Sequence, residues 1–263
     1  QQYKHHCINI ADPSTNFDVM KYAKKAQKCI GDIYSRYKNP LIVGGTGLYI
    51  KSFLNPFFEG PGKDDNIRDK LNTLQADKGN IYLFNLLKKY DPIHSQKISP
   101  NDSKRIIRAL EVYYLTGKPI SYYHKINQYK HSSFNKSKKN INYYLICLYL
   151  DRDKLYKKIN RRVDLMIKMG LIEETKELLK QCDQNSNAMQ GLGYKQIILY
   201  LKGLISREEA IEMIKKETRH FAKRQLSWFK NQIAVDYWIN LDNYNDNQQC
   251  TEKIIDIMKK KGY

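Results

Sequence analysis

Apolar positions along the chain switch between helical and extended spacing, and those switches predict its elements. Asp12-Pro13-Ser14 is a helix-start signal. Val19, Tyr22, Ala23, Ala26, Ile30, Ile33 and Tyr37 follow at helical spacing and predict one buried face. Asn39-Pro40 marks a boundary, after which Leu41-Ile42-Val43 predicts a short strand. Helix then strand is the rhythm of an α/β fold. That strand runs into Gly44-Gly45-Thr46-Gly47, a loop with almost no side chains except one hydroxyl.

The pattern changes after Phe58. The stretch "EGPGKDDN" reads as a linker, because Gly60, Pro61 and Gly62 break any regular element. From residue 64 to about 123 only helical periodicity is present, with helices predicted over 65–77 and 79–90. A third is capped at Asp102 or Ser103, carries the stripe Ile107, Leu110 and Tyr114, and stops at Gly117 and Pro119. Residues 124–140 hold five lysines and no acid, which predicts a mobile basic connection. "INYYLICLYL", 141–150, is continuous enough for a central strand, and "VDYWINLD", 235–242, for a last one. Between them the chain is helical, with Gly170 and Gly203 at helix ends and a Ser206/Glu209 capping box opening a long helix. The expected organisation is an α/β core in two parts, 1–58 and 135–263, with an inserted helical lobe over 59–134.

Composition narrows this picture. A chain of 263 residues that is 41% hydrophobic can bury a core without disulfides or structural metal. No stretch approaches the ~20 apolar residues of a membrane span, so no membrane partner is expected. The cysteines (Cys7, Cys29, Cys147, Cys182, Cys250) are scattered and never form CxxC, which argues for a reducing cytoplasm. His5-His6-Cys7 lacks a second ligand pair, so no metal site is assigned. With 46 Lys+Arg against 27 Asp+Glu, the net charge of +19 attracts polyanions, nucleic acid ahead of membrane. A lysine-rich solvated surface accounts for part of that excess.

Four groups of residues carry candidate chemistry. The glycine loop is neither GxxxxGK[ST] nor GxGxxG, since Ile50 stands at the third glycine position. It is either a tight turn or a place where backbone meets an anion closely, with Thr46 as donor. Lys216, Arg219 and Lys223 share one face of the capped helix, while Ile211, Ile214, Thr218, Ala222 and Phe229 mark another. Such a stripe is either a solvated face or a rail for phosphates. Lys104, Arg105 and Arg108 open the third lobe helix near its anion-favouring end. In "MQGLGYKQIILYLKG", 189–203, two glycines precede an aromatic, a lysine and a glutamine: a helix-start loop or a close backbone contact with RNA.

"HHCINIADPS", "LIVGGTGLYIKSFL", "PNDSKRIIRALEVYYLTGKPIS", "GLGYKQIILYLKG" and "ETRHFAKRQLSWFK" occur in this order. Together, from about His5 to Trp238, they resemble the tRNA dimethylallyltransferases (tRNA isopentenyltransferases). The resemblance implies a P-loop-NTPase-like α/β core, a parallel sheet flanked by helices, with an inserted helical lobe that embraces the tRNA anticodon stem-loop. The implied reaction moves a dimethylallyl group from dimethylallyl diphosphate to N6 of the adenosine beside the anticodon. Thr46 would lie at the reaction centre and Arg219 would bind the diphosphate. Gly44, Gly45, Gly47, Lys223 and Arg224 would lie around it. Arg68, Lys104, Arg105, Ile106, Ile107 and Arg108 would touch tRNA, as would Gln190, Gly191, Leu192, Gly193, Tyr194 and Lys195.

The implied chemistry suits these residue types. Adenine N6 is a weak nucleophile, and the allylic carbon becomes electrophilic only as diphosphate departs. Cations and a hydroxyl therefore have to meet charge that grows on the leaving oxygens, with Mg²⁺ sharing the task. In the family a phosphate-binding P-loop, its metal-holding Ser/Thr and a general-base Asp precede the "HH…DPS" segment. By analogy these occupy about 50–60 residues upstream of Gln1, including a sheet strand. The Mg²⁺ ligands are expected there, and residues 1–263 alone are expected to be inactive. One copy is enough to grip a tRNA, so a monomer is expected. The competing readings are a noncatalytic tRNA-binding remnant and an isopentenyltransferase of free adenine nucleotides. A small-molecule P-loop kinase stands further off. The helical lobe and the +19 charge count against the free-nucleotide enzyme.

Overall fold

Short acceptor side chains decide where the helices start. In the computed structural model, which describes residues 3–15, 17–54, 60–126, 143–260 and 262, α1 (Val19–Ser35) is capped by Asp18, whose carboxylate accepts from the Met20 and Lys21 N–H groups. The helix predicted to begin at Asp12 therefore starts later. Asp12 instead accepts the Ser14 N–H at 2.8 Å, while the Thr15 N–H closes on the Asp12 carbonyl at 2.9 Å. This Asx-type turn satisfies the local donors and diverts the chain. Ala23, Ala26 and Ile30 form the buried face. Tyr37 does not extend it: it lies past the cap with φ 54° and is fully exposed.

The chain forms two compact units, residues 1–54 with 142–263, and residues 55–141. In the first, the strand predicted at Leu41–Val43 is not formed. Leu41 and Val43 are exposed, and no described strand lies alongside to complete a ladder. The chain passes instead through the glycine loop into α2 (Gly47–Leu54). The described sheet has two strands, β1 (Ile146–Tyr149) and β2 (Tyr237–Asn240). They are parallel, with Cys147 opposite Trp238 and Leu148 opposite Ile239. Both predicted strands thus form over shorter spans, and β1 has one neighbour among the described residues instead of the two of a central strand. Carboxylates fasten both ends of this pair: Asp236 accepts the Leu145 N–H at 2.8 Å, and Asp242 the Asp151 N–H at 2.7 Å. The α/β class with a parallel sheet holds, in a mostly helical form.

Helices surround this ribbon in the chain order and pack on one another. Between its strands run α7 (Arg152–Lys168), α8 (Leu171–Leu178), α9 (Tyr194–Leu201) and α10 (Arg207–Gln232), and α11 (Asn247–Lys259) follows it. Val163, Ile167, Leu171, Ile197, Ala210 and Ile214 make one shared core. Each buried Val, Leu or Ile among them contributes about 1.5–3 kcal/mol. Ser206 and Glu209 form the predicted capping box at the head of α10. Gly170, with φ 96°, turns α7 into α8 as no side-chain-bearing residue does readily.

The described residues of the second unit are helical, as predicted. α3 (Asp65–Tyr90) is kinked at Gly79 (φ 79°), so the two predicted helices meet there. α4 (Pro92–Ser95), α5 (Ser103–Thr116) and α6 (120–126) follow. Asp102 caps α5, and Gly117, left-handed at φ 68°, ends it. Leu71, Leu83, Leu87, Ile106, Leu110 and Val112 fill the core. Buried Asp91 ties α4 to α6 by accepting both the His94 and the Ser121 N–H at 2.9 Å. Of the predicted basic connection, 124–126 belong to α6 and 127–140 lie outside the described residues.

Candidate functional site

The capped helix α10 carries both the candidate phosphate cations and the seat of the glycine loop. Gln225 donates its Nε2 to the Gly45 carbonyl at 2.9 Å. A Cβ on Gly45 would stand 2.7 Å from that same Nε2, and one on Gly47 only 2.1 Å from the Trp228 ring. Gly47 is therefore required by the rigid ring that α10 presses against the loop, whereas at Gly45 the flexible Gln225 amide could give way. Around Gly44 a Cβ would meet open space, so packing asks nothing of that position. Thr46 is exposed and its carbonyl accepts the Tyr49 N–H at 2.9 Å, starting α2. Its hydroxyl has no partner among the described residues. Behind it Tyr49 stacks on Tyr22 of α1, ring centres 4.6 Å apart.

Arg219 is held by α7. Its Nη1 donates to Asn160 Oδ1 at 2.7 Å, and its guanidinium lies 5.8 Å from the Tyr156 ring centre. Arg152 lies 5.2 Å from that same ring. Tyr156 thus gathers two guanidinium groups by their attraction to its π face. Arg219 and Trp228 are nine residues apart, about two and a half turns, so they leave α10 on opposite sides. Lys223 follows Arg219. Arg224, four residues before Trp228, shares the side that seats the loop, its guanidinium 5.9 Å from Phe221. Of the three cations, α10 brings Arg224 to the Gly45–Gly47 side and turns Arg219 and Lys223 to the other.

In the helical unit the predicted tRNA residues divide sharply by burial. Glu111 is fully buried and accepts from Arg68 at 2.8 and 3.0 Å, Arg108 at 2.6 Å and the Asp64 N–H at 2.9 Å. Arg108 also donates to the Pro61 and Gly62 carbonyls. Burial pushes the Glu111 carboxyl up, but the two guanidiniums and the Asp64 N–H outweigh it and hold it below the ordinary range. Arg68 and Arg108 therefore fasten the start of α3 and its linker to α5. Ile106 and Ile107 are buried in the same core and offer nothing to a ligand. Lys104 and Arg105 are exposed, Arg105 with a loose ion pair to Asp102 at 3.4 Å.

The 190–195 segment divides similarly. Gly193, at φ 105°, precedes α9, and its N–H donates to Gln196 Oε1 at 3.0 Å. A Cβ on Gly191 would stand 2.9 Å from the Ala188 carbonyl. Leu192 packs on the shared core. The Tyr194 hydroxyl donates to Glu174 at 2.6 Å. Burial first, then that carboxylate, push the phenol up to about 12. Gln190 and Lys195 are the exposed members, with Gln190 Nε2 on the Gln184 carbonyl at 2.9 Å.

The profile of the IPP transferase family matches residues 1–232. The chain belongs to this family. It is 46% identical over 267 residues to the tRNA dimethylallyltransferase of Thermoanaerobacter sp. (strain X514), covering 99% of this chain and 82% of that protein. Among solved structures it is similar to the full-length tRNA isopentenylpyrophosphate transferase of Bacillus halodurans (TM-score 0.65, 35% identity, 98% of this chain and 78% of that one). It is also similar to a eukaryotic dimethylallyltransferase acting on tRNA (TM-score 0.71, 26% identity, 95% and 63%). The IPP transferase resemblance read from five segments is thus shown.

Within this IPP transferase chain, no three His, Cys, Asp or Glu side chains converge among the described residues to hold a metal. Sequence reasoning missed Gln225, Trp228, Asn160, Tyr156 and Glu111. The signal for the first two was present: small residues in one segment and a large aromatic in another are what a close contact between elements requires. Asn160 and Tyr156 carry no comparable pattern, being polar positions on an ordinary amphipathic helix.

Proposed function

We propose that the protein containing this chain moves a dimethylallyl group from dimethylallyl diphosphate to N6 of the adenosine beside the anticodon of tRNA. Prenyl transfer to tRNA adenosine follows from the family. The donor and the position of the acceptor rest on the family resemblance, and the bare loop with its free Thr46 hydroxyl, moulded against the cation-bearing helix α10, supports a phosphate-bearing donor. That placement is the observation that carries the reading.

In the reaction the C1–O bond of the donor breaks and an N6–C1 bond forms. N6 loses one proton to solvent, and diphosphate leaves with the bonding pair. Arg224 and the Thr46 hydroxyl serve the leaving oxygens from the loop side. Arg219, fixed by Asn160 and Tyr156 on the other side of α10, is not placed against those same oxygens. The adenine must leave its stack, a cost of a few kcal/mol that RNA contacts offset. Lys104, Arg105, Gln190 and Lys195 are the exposed groups for those contacts, and one copy grips the anticodon stem-loop. If Mg²⁺ takes part, as the resemblance implies, it would supply further charge to the diphosphate.

The test is to incubate the gene product containing this chain with tRNA and radiolabelled dimethylallyl diphosphate, then digest the RNA to nucleosides. Label in N6-dimethylallyladenosine is expected. Label appearing in free AMP or ATP in place of tRNA, or in no adenosine at all, overturns the reading.

A further inference from the structure

Away from the glycine loop, α9, α10 and the 184–190 turn line an open surface cleft of about 410 Å³. That is within the size range of small-molecule sites. Its chemistry is mixed in a specific way. Lys195 and Lys202 stand at it with no ionic partner among the described residues. Gln196 is buried and uses Oε1 on the Gly193 N–H, which leaves its Nε2 without a hydrogen-bond partner. Native structures rarely leave such a donor unmet. Glu217 contributes a carboxylate whose recorded neighbour is His220, at 3.8 Å. Met213 is 38% exposed and offers a polarisable apolar surface suited to the face of a ring.

Two cations, a carboxylate acceptor and an apolar floor describe a nucleotide's needs: phosphate, base edge and base face. We propose that this cleft seats one unstacked nucleotide of the bound RNA other than the acceptor adenosine. Its phosphate lies toward Lys195 and Lys202, its base against Met213, and a base amino or imino group toward Glu217. Met213 and Glu217 form one face of α10, the face turned to α9, whereas Arg219 is turned to α7. Glu217 also precedes Gln225 by eight residues, about 12 Å of helix, so this site is separate from the glycine loop. The inference rests on the RNA reading above and adds to it a second nucleotide-binding subsite.

The experiment uses anticodon stem-loop RNAs in which one loop nucleotide at a time is abasic. Their affinity is measured by fluorescence anisotropy for the unaltered protein and for the double variant Met213→Ala, Glu217→Gln. Both side chains lie outside the fully buried core, and a melting curve checks that the variant folds. One abasic position other than the acceptor should weaken binding about tenfold. In the variant that penalty should shrink to below about twofold, and Lys202→Ala should weaken every RNA together. The proposal is overturned if no such position is sensitive, or if its penalty is the same in variant and unaltered protein. Failure of the unmodified RNA to bind the unaltered protein at all would instead strike the RNA reading on which the proposal stands.

Discussion

Gln225 and Gly45 are 180 residues apart in the chain and joined by a 2.9 Å hydrogen bond from side-chain amide to backbone carbonyl. Beside it Trp228 covers Gly47 so closely that no Cβ fits. The loop that carries Thr46 is therefore held by α10, the helix that also carries the candidate phosphate cations.

Gly47→Ala should displace the loop. Its new methyl would meet the Trp228 ring at 2.1 Å, and overpacking of this kind costs about 1–3 kcal/mol. Calorimetry should show a lowered Tm and the prenyl-transfer assay a reduced kcat, with part of both returning in Gly47→Ala, Trp228→Ala. Gly44→Ala, into open space, should leave Tm unchanged. Equal behaviour of the two single variants would mean that Trp228 does not position the loop.

Glu111 should make the helical unit sensitive to acid. Its folded carboxyl lies below the ordinary range, while in the unfolded chain it titrates near about 4.3. As pH falls the unfolded chain binds the proton first, so the stabilisation is present above about pH 4.3 and is lost as pH drops through the lower folded value. Urea unfolding from pH 7 to pH 3 should show this decline. Glu111→Ala should remove that component of the slope and cost about 3 kcal/mol at pH 7, because two guanidiniums and the Asp64 N–H lose their shared partner.

The same network separates two arginines that the sequence places three residues apart. Arg105→Ala should leave stability within about 0.5 kcal/mol. It should lower tRNA affinity and flatten the slope of log K against log salt by about 1. Arg108→Ala should act first on stability, because its guanidinium bridges Glu111 to the Pro61 and Gly62 carbonyls. Chemical unfolding and salt-dependent binding, measured on both variants, tell the two roles apart. Identical profiles would contradict the assignment.

These contrasts show what the sequence could and could not disclose. Capping chemistry is local, so the Ser206/Glu209 box, the Gly117 stop and the break at Gly79 were legible from a few neighbouring residues. The start at Asp12 misled because Asp, Pro and Ser signal a turn as strongly as a helix cap, and only the carboxylate at Asp18 separates the two outcomes. Leu41–Val43 has the composition of a strand, but a strand is made by its neighbour and none of the described ones lies beside it. Basic residues in a motif look alike on paper. Whether Arg105 or Arg108 is free to meet RNA depends on a glutamate that the sequence presents as one more helix residue. Gly45 and Gly47 were legible as unusual, yet the tryptophan that demands Gly47 and the glutamine that holds the Gly45 carbonyl lie on a distant helix.

Tyr194 offers a spectroscopic test of the 190–195 turn. Its hydroxyl donates to Glu174 at 2.6 Å, and burial together with that carboxylate raises the phenol to about 12, against about 10 in an unfolded chain. Here the protonated form is favoured by folding. Its contribution is full below about pH 10, where both states keep the proton, and is lost between about pH 10 and 12 as only the unfolded chain releases it. Absorbance at the phenolate band should show a late-titrating component, to which Tyr22 and Tyr114 also contribute, and it should lose one tyrosine's share in Tyr194→Phe. The variant keeps the ring between its two core clusters and loses only the hydrogen bond, so it should cost about 1 kcal/mol. If Glu174→Gln leaves the late titration where it was, burial alone sets it and the Glu174 carboxylate does not anchor the turn.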